Sequence, residues 1–340
     1  GRIDLNAYDQ TKKHRPFLKR VKYREVDGCS LGMWVFKKDT TATNLKPFVF
    51  IHGGSWSLRG AGASLGVGMT VPNLTEMGYI VFSPFYRLLG VDDGPKECQK
   101  FHGKDIIEDI ESAVDWVIQN GESFGMKSFT GEPAKVAIGG QSAGAHLSAY
   151  MTTHHPEKID RAFLLYPPTD FSFFVKNVSS RCGSNCLYSC TFTGAQSPLA
   201  DFCDVKDFSD LTPTNPCVIE NSFPEIIQKQ GPENFPPMFI LQGSADSAVP
   251  IEFNIRLCEA QAGKTPLLNQ LYNGCEMVEP CGQKSQIRVV AGAEHMLDLR
   301  CLDMSYIKGI PCTPGSKSGQ EKVSQYLREA YDTFLSFKQK

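Results

Sequence analysis

The chain has 340 residues, enough for one large domain or two small ones. Hydrophobic residues make up 41% and charged residues 21%, a globular balance that excludes collagen, coiled coil and bulk disorder. Lys and Arg number 35 against 37 Asp and Glu, a net charge of −2, so no basic excess marks a nucleic-acid binder.

Residues 32–37 read as an early strand. Pro47 to His52 is a continuous apolar run that ends in Gly53-Gly54, and residues 79–83 form a second. Short runs of this kind suit strands buried on both faces, the pattern of a parallel sheet. Residues 104–119 carry Ile106, Ile107, Ile110, Ala113, Val114 and Val117 at helical spacing, with acids between them. That is an amphipathic helix. A strand over 135–139 leads into a helix over 143–152, and further buried strands fall at 161–166, 237–241 and 286–290. Val323, Tyr326, Leu327, Ala330, Tyr331, Phe334 and Leu335 form the apolar stripe of a C-terminal helix. Strands alternating with helices predict an α/β fold, a mostly parallel central sheet flanked by helices.

Residues 168–235 break this rhythm. They show no clean period and hold Cys182, Cys186, Cys190, Cys203 and Cys217. A structureless loop of that length is improbable inside a compact domain. The segment therefore reads as an inserted, Cys-rich cap, pinned by its own bridges over the ends of the sheet strands.

Cysteine is the odd entry in the composition, with 12 residues. The Cys182-x3-Cys186-x3-Cys190 spacing is not that of a zinc site, and no histidine lies nearby, so no metal is expected. Disulfides are, which points to a secreted or lumenal protein. Two sequons agree, Asn73-Leu74-Thr75 and Asn177-Val178-Ser179, the marks of a glycoprotein. No apolar run is long enough to span a bilayer. The polar start, Gly1-Arg2-Ile3-Asp4, is not a signal peptide, so for a secreted protein the signal is expected to have been removed or to lie outside this sequence.

The sharpest chemical signal is Gly140-Gln141-Ser142-Ala143-Gly144, a G-x-S-x-G pattern between a predicted strand and a predicted helix. On such a turn the Ser142 hydroxyl projects above the sheet as a nucleophile. His52-Gly53-Gly54-Ser55-Trp56 follows a buried strand. Its glycines let a substrate approach backbone N–H donors, so the N–H of Gly53 or Gly54, with that of Ala143, can form an oxyanion hole. His52 itself reads as a histidine that orders this loop. A serine nucleophile needs a base, and the base an orienting acid, in the order serine, acid, histidine. Of seven histidines, His295 alone follows the serine beyond the cap, in a loop after a late strand. His146 lies one helical turn after the serine, from where its side chain points away from the hydroxyl or packs inside, and it reads as structural. Asp246 sits just past the strand that ends near Leu241, within reach of the base. Asp298 and Asp303 follow His295 and break the order.

The chain resembles an α/β-hydrolase of the esterase/lipase type. The H-G-G-x-W motif and Gly140-Gln141-Ser142-Ala143-Gly144-Ala145-His146 are similar to those of isoprenylcysteine methylesterase-like enzymes, kynurenine formamidases and feruloyl-esterase-like carboxylesterases. The likeness runs over about residues 30 to 300 through four separated motifs, Tyr86-Arg87-Leu88 being the weakest. It implies a doubly wound sheet, no cofactor, and hydrolysis of a carboxylic ester through an acyl-serine. The cysteine count departs from that branch.

Motifs spread from His52 to His295 serve one site, so residues 1–340 read as a single catalytic domain with its cap. The expected partner is a small-molecule ester. Trp56, Phe171, Phe173 and Phe174 are candidate walls of an apolar pocket, along with Tyr188 and Phe192. The same rings also suit a small core within the cap, and Trp56 suits packing beside the oxyanion loop. An amidase or formamidase on the same triad is the alternative reading. A non-catalytic binding protein would be expected to lack a triad member or the glycine pair, and this chain has both.

Overall fold

The computed structural model describes residues 17–59, 70–90, 94–129, 134–177, 198–265, 281–300, 323 and 325–337. Its centre is an eight-stranded sheet. The strands are β1 (Phe17–Val26), β2 (Cys29–Lys37), β3 (Lys46–Ile51), β4 (Tyr79–Pro84), β5 (Val136–Gln141), β6 (Ile159–Leu165), β7 (Met238–Gly243) and β8 (Gln286–Val290). Their spatial order is β1-β2-β4-β3-β5-β6-β7-β8. The strands from β3 to β8 run parallel, while β1 and β2 are antiparallel to their neighbours. The buried strands anticipated from the apolar runs are all present.

Each central strand is buried on both faces because its two side-chain sets meet different helices. In β3, Phe48 and Phe50 point to one core, with Val71, Leu74, Val323, Tyr326 and Leu327. Val49 and Ile51 point to the other, with Ile106, Ile110, Val114, Leu147 and Met151. The first core is covered by α1 (residues 70–76) and a C-terminal helix (residues 325–334). The second is covered by α2 (Gly103–Asn120), α3 (Ala143–His154) and α8 (Ile251–Gln261). No described helix is long and apolar enough to cross a membrane.

Strand β3 lies between β4 and β5, which places a topological switch at its C-terminal end. In open sheets of this kind the ligand crevice forms there. The loops after β3 and β5 carry the His52 and Ser142 motifs, and Ile51 pairs with Gly140 just before them.

Between β6 and β7 the described residues of 168–235 form four short α-helices, α4 (Phe171–Asn177), α5 (Pro198–Phe202), α6 (Pro216–Glu220) and α7 (Phe223–Gln230), and two single 3-10 turns. They pack on the α3 and α8 side of the sheet, where Phe171, Phe202, Phe223 and Ile227 join that core. Their root is an ion pair. Arg256 of α8 donates from Nε to Asp170 Oδ2 at 2.7 Å, with both side chains fully buried.

Disulfides join Cys29 to Cys98, Cys203 to Cys217 and Cys258 to Cys281. The second lies within 168–235. The other two fasten β2 to the loop after β4, and α8 to the residues before β8. Cys182, Cys186, Cys190, Cys275, Cys301 and Cys312 lie outside the described residues, as do Tyr188, Phe192 and Asp303.

Candidate active site

Ser142 stands between β5 and α3 with φ 52° and ψ −118°, in a region that non-glycine residues rarely adopt. The turn is tight enough to exclude side chains on either flank. A Cβ on Gly140 would clash with the Ile51 carbonyl oxygen and lie 2.7 Å from the Gly144 carbonyl carbon; one on Gly144 would lie 2.5 Å from the His52 oxygen. The strain is of the kind stored at functional sites, and it lifts the hydroxyl clear of the strand.

His295 faces this hydroxyl. Its Nε2 is 3.0 Å from Ser142 Oγ, and its Nδ1 is 2.8 Å from Asp246 Oδ2. With the carboxylate accepting at Nδ1–H, Nε2 is left to accept from the serine. The edge of Tyr166 meets the imidazole, with 4.6 Å between ring centroids.

Asp246 is buried and held by four donors. Oδ1 accepts from the N–H groups of Ala248 (2.9 Å) and Val249 (2.7 Å). Oδ2 accepts from Gln242 Nε2 at 3.2 Å as well as from His295. The loops bearing Asp246 and His295 are laced together. Ala245 N–H donates to the Ala293 carbonyl at 3.0 Å, and Gly292 N–H donates to Ser244 Oγ at 2.8 Å. Glu294 Oε2 accepts from Ser247 N–H at 3.0 Å, Ser247 Oγ at 2.8 Å and His295 N–H at 3.2 Å.

The loop after β3 passes beside the serine. A Cβ on Gly53 would lie 2.6 Å from the Gln141 oxygen and 3.4 Å from Ser142 Cβ. Gly54 has φ 116°, and Ser55 and Trp56 follow at 53° and 57°. His52 is buried and stacked on Tyr86 at 4.4 Å, while Tyr86 Oη donates to the His52 carbonyl at 2.9 Å.

The aromatic walls are a correction. Phe171, Phe173 and Phe174 are buried, and so is Trp56. Phe171 stacks on His146 at 5.1 Å, Phe173 lies under the Arg256 guanidinium at 4.6 Å, and Phe174 meets Phe208 and Phe253 edge-on. Burial against α3 and α8 repays these rings more than exposure in a crevice would. They belong to the core that joins the insertion to the domain. Trp56 lies in the loop after β3, its indole donating to His146 Nδ1 at 3.2 Å.

His146 is fully buried, the second of the two placements its helical spacing from Ser142 allowed. Burial pushes its pKa down to about 3. Asp298 takes Gln141 Nε2 and Tyr166 Oη rather than the base. Gln242, Glu294, Tyr166 and Asn221 carry no motif in the sequence; Gln242 and Glu294 stand within four residues of Asp246 and His295, whereas the fold brings Tyr166 to His295 and Asn221 to His146.

A parallel sheet with helices on both faces, a serine on a strained strand-to-helix turn and a histidine–aspartate pair against it define an α/β-hydrolase. Solved structures agree on the fold. An esterase from Thermogutta terrifontis superposes with a TM-score of 0.60 at 20% identity, covering 95% of both chains. A bacterial heroin esterase gives 0.58 at 18%, covering 96% of this chain and 89% of that one. Residues 33–260 match the BD-FAE family, and the chain belongs to it. Among curated proteins, Esterase LipC of Mycobacterium tuberculosis is 25% identical over 244 residues, 71% of this chain and 54% of LipC. The probable isoprenylcysteine alpha-carbonyl methylesterase ICMEL1 of Oryza sativa subsp. japonica is 34% identical over 122 residues, 35% of this chain and 24% of that protein. This chain thus spans about half the length of LipC.

Proposed function

We propose that the protein is a serine hydrolase that cleaves carboxylic esters of small molecules through an acyl-serine. The observation that carries this reading is the 3.0 Å approach of His295 Nε2 to Ser142 Oγ, with Asp246 2.8 Å behind the imidazole. The esterase relatives support it.

In this mechanism Ser142 Oγ attacks the ester carbonyl and His295 takes its proton. Asp246 holds the imidazole in the required tautomer and stabilises its cation. The carbonyl oxygen becomes an oxyanion beside the Ala143 N–H and that of Gly53 or Gly54. One such donor lowers the barrier by about 3 kcal/mol. The tetrahedral species collapses, the C–O bond breaks and His295 protonates the leaving alkoxide. Water, deprotonated by His295, then attacks the acyl-serine, and the acid leaves with the Ser142 oxygen reprotonated. The base must be neutral, so the rate falls toward acid.

Residues 168–235 act as a cap at this site; the packing of Phe171 and Phe223, among its described residues, against His146 of α3, the helix that follows Ser142, supports that role. The working compartment is oxidising, secreted or lumenal. Three bridges support this, as does the exposed Asn73 of the first sequon. The test is a panel of short, long and aromatic acyl esters with matched anilides, run on wild type and Ser142→Ala. Ester turnover lost in Ser142→Ala is expected. Turnover that survives the substitution overturns the assignment, and anilides cleaved faster than esters make the enzyme an amidase.

A further inference from the structure

The loop that carries Gly53 and Gly54 holds an unfavourable shape. Gly54, Ser55 and Trp56 have positive φ in succession, and two of the three bear side chains. Such a run persists only where the surroundings over-determine it. The indole of Trp56 supplies the anchor. It is buried against Phe202 at 5.0 Å and Phe171 at 6.2 Å, and its N–H donates to His146 Nδ1 at 3.2 Å. The Trp56 carbonyl accepts from Leu89 N–H at 3.0 Å.

An indole N–H only donates, so His146 Nδ1 must accept. The ring is therefore neutral with its proton on Nε2. That N–H donates to Asn221 Oδ1 at 2.8 Å, and Asn221 Nδ2 donates to the Cys217 carbonyl at 2.8 Å. Each donor points the same way, from the oxyanion loop through α3 into the insertion. Phe171 and Phe223 stack on the imidazole and fix its plane. Cys217 is itself tied to Cys203. Nothing in the proposed chemistry uses this chain, although it starts two residues from one oxyanion donor and crosses the helix that begins after Ser142.

We propose that His146 is a positioning residue for the oxyanion hole: through Trp56 it holds the strained Gly54–Trp56 turn in place, and through Asn221 it couples that turn to the insertion. This rests on the ester-hydrolase reading above. The hole matters most when charge is on the carbonyl oxygen, so loosening it lowers kcat and leaves KM nearly unchanged.

Two substitutions separate the ends of the chain. His146→Asn keeps an acceptor near the Nδ1 position for Trp56 and gives up Asn221. His146→Gln keeps a donor near the Nε2 position for Asn221 and strands the indole N–H. Trp56→Phe keeps an aromatic ring at the position and removes the indole donor together with part of the buried bicycle, a loss of packing that the double variant controls for. Steady-state kinetics on one ester are measured for each, well below its own melting midpoint, with the double variant Trp56→Phe/His146→Gln. The expected result is a fall in kcat of about 10- to 100-fold for His146→Gln and for Trp56→Phe. His146→Asn loses clearly less, and the double variant loses no more than either single. Equal losses in the Asn and Gln variants, losses that multiply in the double variant, or losses in KM alone overturn the positioning role. A wild-type chain with no ester turnover overturns both readings, whereas turnover indifferent to Trp56→Phe overturns this one alone.

Discussion

Asp298 accepts a hydrogen bond from Gln141, the residue before Ser142, at 2.5 Å across 157 positions of sequence. Its other oxygen accepts from Tyr166 Oη at 2.6 Å, and the Tyr166 ring abuts His295. Two acids therefore serve the site differently. Asp246 holds the His295 imidazole; Asp298 braces the residue before Ser142 and the tyrosine beside His295.

The contrast is measurable in paired variants. Asp246→Asn leaves the fold intact and favours the wrong imidazole tautomer, with an expected fall in kcat of about three to four orders of magnitude. Asp298→Ala strands two buried donors, each worth about 1–3 kcal/mol of stability. Its melting midpoint should drop well below that of wild type, with a far smaller loss of kcat than Asp246→Asn. Equal kcat losses would contradict the division of roles.

His146 gives stability an acid-side slope. Folded, its pKa is held to about 3 by burial. Unfolded, it takes a proton near pH 6.5. Between those values the unfolded state binds the extra proton, so stability is full above about pH 6.5 and is lost as pH falls toward about 3, by up to about 1.4 kcal/mol per unit. His154, stacked on Tyr150 at 3.9 Å, is also lowered by burial and adds a slope of the same sign. His146→Asn, with His154 retained, should flatten denaturant-midpoint curves between pH 6 and pH 4 by about one proton. An unchanged slope would contradict a neutral buried His146.

Arg256 and Asp170 are fully buried together, and burial pushes the Asp170 carboxyl above its usual range despite the guanidinium. Removing one charge strands the other. Arg256→Ala should cost about 3–5 kcal/mol, read from chemical denaturation, while Arg256→Met with Asp170→Leu should cost much less. Similar losses in both would mean that packing, and not charge, is what Arg256 supplies.

The parallel strands were legible because their residues are apolar on both faces, as Phe48 and Phe50 against Val49 and Ile51 illustrate. The serine turn and the glycine pair were legible because their chemistry is local: one tight turn, one close backbone pass. Strand β1 was not, since Lys19, Arg20 and Lys22 are exposed along a sheet edge and leave no apolar period. Chain order pointed to Asp246 and His295; of the bonds around them, Gln242 to Asp246 spans only four residues, whereas Glu294 to Ser247 spans 47 and is a pairing that only the fold brings about. The aromatic residues of 171–174 were recognisable as apolar, and their sequence held no record of which neighbour they would face. His146 and Asn221 meet across 75 positions, which no local spacing encodes.

The most direct measurement is active-site labelling. The protein is incubated with a fluorophosphonate, and the adduct is mapped by peptide mass spectrometry, with Asp246→Asn and Ser142→Ala alongside. One adduct per chain on Ser142 is expected, much slower in Asp246→Asn and absent in Ser142→Ala. An unlabelled Ser142 in the active wild type, or an adduct on another residue that survives Ser142→Ala, would contradict Ser142 as the nucleophile.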